Sequence, residues 1–537
     1  MLKAKNTDFN SIKNNVVRNF IGKKMTHSDS GYVKDLAYSY GYFSELNPQN
    51  IKLKFLSAGF LTPEFGTACE LGFGQGLSVN IHAAASLCTW YGTDFNESQA
   101  SFAKEIAVAS KAKIHLFGEA FSEFTNRDLP DFDYIGLHGI WSWVSDENRQ
   151  IIVDFIRKKL KVGGVAYIGY NTLPGWAAFA PMRNLMKLHL ENSESADNEI
   201  FSHIDSSIEF AEKLLSTKPL FGEVNPLVSE RIKKIKKQNP TYLAHEYFND
   251  IWNPSLFNTI AEWLSEADLS YACSASYLDH VDVVNLTKEQ LTFLAEIKNP
   301  VFKETVRDFM INRYFRRDYW VKKAKRLTPI EQIQELRNVR LLMTAYRPEV
   351  KMKIDGSLGE AILTENIYAP ILNLMADYKI RSIFEIEEAV KEKGIDLSQL
   401  LEIILVLCHQ CTFSIVQEDK EITKSKATTA NLNSYLIHNA CNNKEIVFLA
   451  SPVTGGGVNV NWFQQMFLLA IQKGMEKPEE WASFVKQMLD SQGQTLVRNG
   501  KLLKTAEEKL SHLSTQANEF AVKFLPILRA LHIELAP

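Results

Sequence analysis

The stretch Thr67-Ala68-Cys69-Glu70-Leu71-Gly72-Phe73-Gly74-Gln75-Gly76 constrains the fold more than any other part of the chain. A short strand-like run ends in three glycines at alternate positions, and the helical pattern of Leu77 to Ser86 begins at once. Glycines at the end of a strand let the backbone turn sharply and leave no Cβ where a ligand would approach. The helix that follows presents free N–H groups in its first turn. A strand, a glycine loop and a helix in this order open a βα unit, so neighbouring parallel strands must follow.

They do follow. Strand patterns recur at Leu87 to Thr93, Lys113 to Phe117, Phe132 to Leu137 and Val165 to Tyr170. Helical patterns separate them at Glu97 to Lys111 and Asn148 to Leu160, and Lys161-Val162-Gly163-Gly164 reads as a turn into the fifth strand. Alternation of this kind predicts an α/β fold with a doubly wound, mostly parallel sheet. The helix pattern Pro254 to Asp268 and the strand pattern Leu269 to Tyr277 complete the sheet after a polar, helical insertion.

A chain of 537 residues exceeds the size of one hydrophobic core, so several domains are expected. The pattern divides it into an N-terminal segment (1–30), a core (31–176 and 241–287), a helical insertion (177–240), a helical and basic middle region (288–340) and a C-terminal region (341–537). In the last, strand patterns at Leu341 to Tyr346 and Ala361 to Glu365 precede three helices, which suggests a winged-helix-like module followed by further helices. Hydrophobic content of 45% and the lack of any apolar run of membrane-spanning length predict a cytoplasmic protein with no membrane span. A net charge of −3 argues against nucleic acid as a partner. Six scattered cysteines imply a reducing compartment and no disulfide framework. The Cys408/Cys411 pair lacks further ligands at zinc spacing and reads as two buried thiols, so no metal is expected.

The loop chemistry discriminates between ligands. A dinucleotide site uses G-x-G-x-x-G, whereas here the third glycine comes one residue early and Glu70 precedes the first by two. A carboxylate aimed at the loop would repel a pyrophosphate but accept a hydrogen bond from the ammonium of a methionine moiety. Asp94 ends the second strand, 18 residues beyond Gly76, where it can accept from ribose hydroxyls. Glu119, after the third strand, can accept from an adenine amino group. With Glu70, Asp94 and Glu119, the positions Gly72, Phe73, Gly74, Gly76, Phe95, Ala120 and His138 form the expected cofactor set, and the cofactor is S-adenosylmethionine.

These residues resemble the motifs of class I methyltransferases, which implies a Rossmann-like sheet. Tyr170-Asn171-Thr172-Leu173-Pro174-Gly175-Trp176, Leu243-Ala244-His245-Glu246-Tyr247 and Arg313-Tyr314-Phe315-Arg316 resemble bacterial methyltransferases that carry a methyltransferase regulatory domain. That group includes the rickettsial protein lysine methyltransferases acting on outer membrane protein B. The resemblance covers essentially the whole length and implies a protein substrate modified on lysine. Phe73 departs from the family pattern, where a small residue is usual.

After the fourth strand the chain reads Leu137-His138-Gly139-Ile140-Trp141-Ser142-Trp143, without the Pro-Pro-aromatic motif of enzymes that methylate amide-like nitrogens. A lysine amine, with a pKa of about 10.4, must lose a proton before it can attack a methyl group. Desolvation between aromatic rings promotes that loss. The expected acceptor walls are Trp141, Trp143, Tyr170, Trp176 and Tyr247, with Glu246 at the entrance and His138, Tyr170 and Tyr247 as catalytic candidates. The insertion 177–240 is a candidate homodimer contact. Two other readings stand beside this one: a small-molecule methyltransferase, and a cofactor-sensing regulator without transferase activity. If the later domains serve only acceptor recognition, a chain ending near residue 290 should still bind cofactor.

Overall fold

A computed structural model describes residues 40–192, 200–498 and 500–533. The expected N-terminal segment 1–30 lies outside the described residues. The glycine loop closes the first strand of a seven-stranded sheet: β1 (Thr67–Leu71), β2 (Thr89–Thr93), β3 (Ile114–Phe117), β4 (Phe132–Leu137), β5 (Leu160–Asn171), β6 (Ser270–Ser274) and β7 (Phe315–Val321). Their order is β3-β2-β1-β4-β5-β7-β6. The first five run parallel, and β7 is antiparallel to both of its neighbours. The supposed turn Lys161–Gly164 belongs to β5; Gly163, at φ 85°, sits where the register with β4 shifts.

Strands buried on both faces read as near-continuous apolar runs, which is why β1, β4 and β5 are legible in sequence. Alternate residues supply two cores. Ala68, Tyr134, Val165, Tyr167, Tyr319 and Val321 pack on Leu46 and Phe55 on one face. Cys69, Ile135, Leu137, Ile168, Tyr170 and Trp320 pack on the opposite face against helices α1 (Asp146–Lys159) and α2 (Phe257–Ser265).

The middle region 288–340 is not wholly helical, because β7 lies within it and fills the gap between β5 and β6. Its sequence, Phe-Arg-Arg-Asp-Tyr-Trp-Val, looks like a basic surface. Arg316 and Asp318 are nevertheless buried, and they neutralise each other at 2.7 Å. Domain limits also move. One compact unit comprises 176–252 with 462–521, and the other 40–175, 253–461 and the residues after 521. Residues 241–252, expected in the core, therefore belong with the insertion: helix Pro240–Tyr247 supplies Leu243 and Tyr247 to the insertion's own core beside Met182, Ile204, Ile208 and Ile232.

In the C-terminal region, helices Glu365–Met375, Ile383–Val390 and Leu397–His409 pack with a small antiparallel sheet of Arg340–Met343, Arg381–Ser382 and Phe413–Val416. The expected strand at Ala361 to Glu365 is instead one arm of the hairpin Lys353–Gly356/Gly359–Ile362. Cys408 is buried but Cys411 is exposed, so the two do not form a buried pair. Among the described residues no helix is long and apolar enough to cross a membrane, and no group of three or more His, Cys, Asp or Glu side chains is placed to hold a metal ion.

Helix Asp419–Ala440 packs on the two helices that follow β1 and β2. Thr428 Oγ1 donates to the Ala84 carbonyl (2.6 Å), Gln417 Nε2 donates to that of Ala85 (2.7 Å), and the Tyr435 hydroxyl donates to Glu105 (3.4 Å). A chain ending near residue 290 loses this support and β7 together. We therefore expect it to lack a cooperative unfolding transition and to bind no cofactor, against the sequence-based expectation. Circular dichroism and calorimetry on the truncated chain check this; a folded, cofactor-binding fragment would refute it.

Candidate active site

Gly72, Gly74 and Gly76 have φ values of 73°, 58° and 71°, in the left-handed region that favours glycine. A Cβ on Gly72 would lie 2.4 Å from Ile140 Cδ1, and one on Gly76 would lie 2.4 Å from Ala103 Cβ. The loop is thus set by packing on both sides as well as by conformation. Phe73 belongs to that packing: its side chain is buried against Gly92 of β2 and the core beyond, so only its backbone belongs to the loop surface.

Glu70 is buried, and its Oε2 has no hydrogen-bond partner. Burial, reinforced by the Asp94 carboxylate, holds its pKa well above the usual range. Asp94 accepts the Gly74 N–H on Oδ2 (2.8 Å) and the Asn96 N–H on Oδ1 (2.9 Å). Burial raises its pKa to about 6 against the pull of those two donors. Each carboxylate oxygen has two lone pairs, so Asp94 retains acceptor capacity. Phe95, 39% exposed, presents an apolar ring beside it. An unpartnered buried acid next to a loop of three glycines fits a cationic, amine-bearing ligand, because an isolated buried carboxylate is costly until a positive group faces it.

At the expected adenine end, Glu119 has an ion-pair partner of its own. The Glu119 carboxylate is held by a two-point pair with Arg127, whose Nε lies 2.7 Å from Oε2 and whose guanidinium stacks on Phe117 at 4.3 Å. The hydrogen bond from Arg127 lowers the Glu119 pKa. The Ala120 N–H donates to Glu123 at 3.2 Å. Both groups have partners within the chain.

His138 ends β4 on the face shared by Glu70 and Tyr167. Its Nδ1 lies 2.7 Å from the Tyr167 hydroxyl, with the two ring planes parallel within 3°. Phe43 stacks on the imidazole at 4.0 Å, and Phe315 flanks it at 5.7 Å. Arg317 and Glu45 pair beside it at 2.9 Å. Burial lowers the His138 pKa to about 4; Glu45 opposes the shift and Arg317 adds to it. Sequence reasoning misses Phe43, Glu45, Tyr167, Phe315 and Arg317. Period-two alternation along β5 would place Tyr167 with His138, but nothing local marks Phe43 or Glu45.

Tyr170 and Trp141, expected as acceptor walls, face the other way. Tyr170 is buried in the α1/α2 core, and its hydroxyl donates to Asp318 Oδ2 at 2.7 Å. Trp141 is fully buried, edge-on to Trp263, and its carbonyl accepts from Arg149 Nε. Trp143 is buried too. For Tyr170 on β5, a one-residue step along the strand reverses the face; Trp141 and Trp143 sit instead on the short 3-10 turn Trp141–Trp143 that packs them inward.

Trp176, Glu246 and Tyr247 belong to the smaller unit. There the Arg231 guanidinium lies 3.7 Å over the Trp176 ring and donates to the Tyr247 hydroxyl at 3.4 Å. A ring face covered by the chain's own cation does not offer that face to an ammonium substrate. Burial raises the Glu246 pKa to about 7, against Arg183 and Arg231.

The sheet order, the antiparallel β7 and the glycine loop define the fold of the class I methyltransferases. The chain matches a family model described as a predicted methyltransferase regulatory domain over residues 239–322, which takes in α2, β6 and β7. It is 39% identical over 512 residues to an uncharacterized Synechocystis protein, sll1526, covering 94% of this chain and 99% of that one. The chain belongs to the same protein family as sll1526. It is also 28% identical over 230 residues to the uncharacterized protein RP028 of Rickettsia prowazekii, covering 41% of this chain and 88% of that one. Among solved structures it resembles PKMT2 from Rickettsia typhi in complex with AdoHcy, with a TM-score of 0.69 at 18% identity, over 92% of this chain and 99% of that one.

Proposed function

We propose that the chain is an S-adenosylmethionine-dependent methyltransferase acting on lysine side chains of a protein. The unpartnered Glu70 oxygen beside the three left-handed glycines carries the cofactor assignment. Glu70, Gly72, Gly74, Gly76 and Asp94 would hold the cofactor, with Phe95 and Ala120 on its adenine side. When bound, S-adenosylmethionine supplies an electrophilic methyl group for in-line displacement. Glu70 accepts from the ammonium, Asp94 accepts from hydroxyls while fixing the Gly74 amide, and the glycines admit the ligand to the backbone.

The sequence resemblance to the rickettsial lysine methyltransferases supports the acceptor class, and the fold shared with PKMT2 is consistent with it. So does the acceptor side: His138 is neutral near physiological pH, and Phe43 and Phe315 provide apolar walls. An amine entering there loses its proton through desolvation rather than to a strong base. A homodimer contact through the helices of 176–252 and a cytoplasmic location complete the proposal.

The full chain is to be incubated with methyl-labelled cofactor and candidate proteins, and the label located by mass spectrometry. We expect label on lysine, with a rate that rises about tenfold per pH unit well below the amine pKa of about 10.4. Label on carboxylates, or only on small molecules, would overturn the lysine assignment and favour the small-molecule reading.

A further inference from the structure

The hydrogen bond between His138 and Tyr167 has a direction, and the direction decides what His138 can do. Tyr167 is fully buried, and its hydroxyl has one hydrogen-bond partner, His138 Nδ1. A Cβ on Gly169 would stand 3.2 Å from that hydroxyl and 3.4 Å from Nδ1, so the pair sits against bare backbone. If Nδ1 carried the hydrogen and donated, the phenolic hydrogen would be left buried without an acceptor, an arrangement that folded proteins avoid. If the phenol donates, both groups are satisfied. The ring planes are parallel within 3°, and the hydroxyl stands 2.7 Å from Nδ1, within hydrogen-bond reach. A neutral imidazole that accepts at Nδ1 carries its hydrogen on Nε2.

We propose that Tyr167 is a positioning residue that locks His138 in the Nε2–H tautomer, making it a hydrogen-bond donor in the acceptor site and barring it from acting as the base that deprotonates the substrate. His138 otherwise meets Phe43 and Phe315, which cannot exchange protons. The charged groups facing it are Glu45, on the turn Ser44–Leu46, and Arg317, on β7. They oppose each other, so neither drives the ring to its charged form. With its Nδ1 lone pair committed and a pKa of about 4, the imidazole has nowhere to take a proton near neutral pH. The role in catalysis rests on the methyltransferase reading; the tautomer itself does not.

Two measurements on the full chain test this. The first is a long-range proton–nitrogen correlation spectrum of protein labelled on histidine nitrogen, with the His138 signals identified by their loss in His138→Gln. We expect a bare Nδ1 and a hydrogen-bearing Nε2 in the wild type, and a mixture of tautomers in Tyr167→Phe. A hydrogen on Nδ1 in the wild type overturns the proposal whether or not the chain methylates anything. The second is the rate on a lysine acceptor. A donor role predicts that His138→Gln, which keeps an N–H donor, lowers the rate by no more than about tenfold, the scale of one hydrogen bond. It also predicts a pH profile of unchanged shape. A loss of about 10² to 10⁴-fold, the scale of a missing general base, would refute it.

Discussion

Arg316→Met should destabilise the protein by about 3–5 kcal/mol, the cost of leaving buried partners of an ion pair uncompensated. Arg316, only 2% exposed, donates to Asp318 (2.7 Å), Asp308 (2.9 Å) and Glu304 (2.9 Å) from the start of β7. Its removal leaves Asp308 and Asp318 side by side in the sheet interior with only Arg313 and the Tyr170 hydroxyl as remaining donors. Against a total stability of about 5–15 kcal/mol, such a loss is visible as a lower denaturation midpoint or as insoluble protein. Arg316→Lys should recover only part of it, since a point charge cannot reach three acids at once. An unchanged midpoint for Arg316→Met would mean that the network contributes nothing.

The second large effect is expected at Asp94, and it has opposite signs in the free and bound protein. Its folded pKa of about 6 lies above the carboxylate value of about 3.8. A raised carboxyl favours folding while protonated, so its contribution is fully present below the unfolded pKa and is lost as pH rises through 6. The shift of about two units corresponds to about 3 kcal/mol. The stability difference between wild type and Asp94→Asn should therefore move in favour of the wild type as pH falls from 7 to 4. Cofactor binding uses the ionised form and should weaken over the same range, about tenfold per pH unit below the pKa. Asp94→Ala should cost on the order of 1.5–3 kcal/mol of binding free energy for each charged hydrogen bond lost, with the anchor on Gly74 lost as well. Calorimetric titrations at several pH values read both trends; parallel trends would remove Asp94 from the site.

Sequence legibility follows burial. Strands β1, β4 and β5 are largely buried on both faces and the glycine loop is chemically distinctive, so the first half of the sheet and the candidate cofactor loop stand out. Strand β7 does not, because its buried charges mimic a surface element: Arg316 and Asp318 neutralise each other within the strand, and Asp308 joins them from the helix Pro300–Met310. The aromatic residues mislead for a related reason. Trp141 and Tyr170 carry the right chemistry, but a 3-10 turn packs Trp141 into the core and strand register turns Tyr170 there, while Tyr167 points at His138. Phe43 and Glu45 come from a three-residue turn outside any periodic pattern, so only the folded chain brings them to the site.

We propose that the glycine loop with Glu70 is the receptor for S-adenosylmethionine. Titration calorimetry of the full chain with S-adenosylhomocysteine, alongside Glu70→Ala and an NADH control, tests it most directly. We expect one site per chain in the wild type, at least about tenfold weaker binding in Glu70→Ala through loss of a charged hydrogen bond, and no heat with NADH. Equal affinity in Glu70→Ala, or binding of NADH in place of S-adenosylhomocysteine, would contradict it.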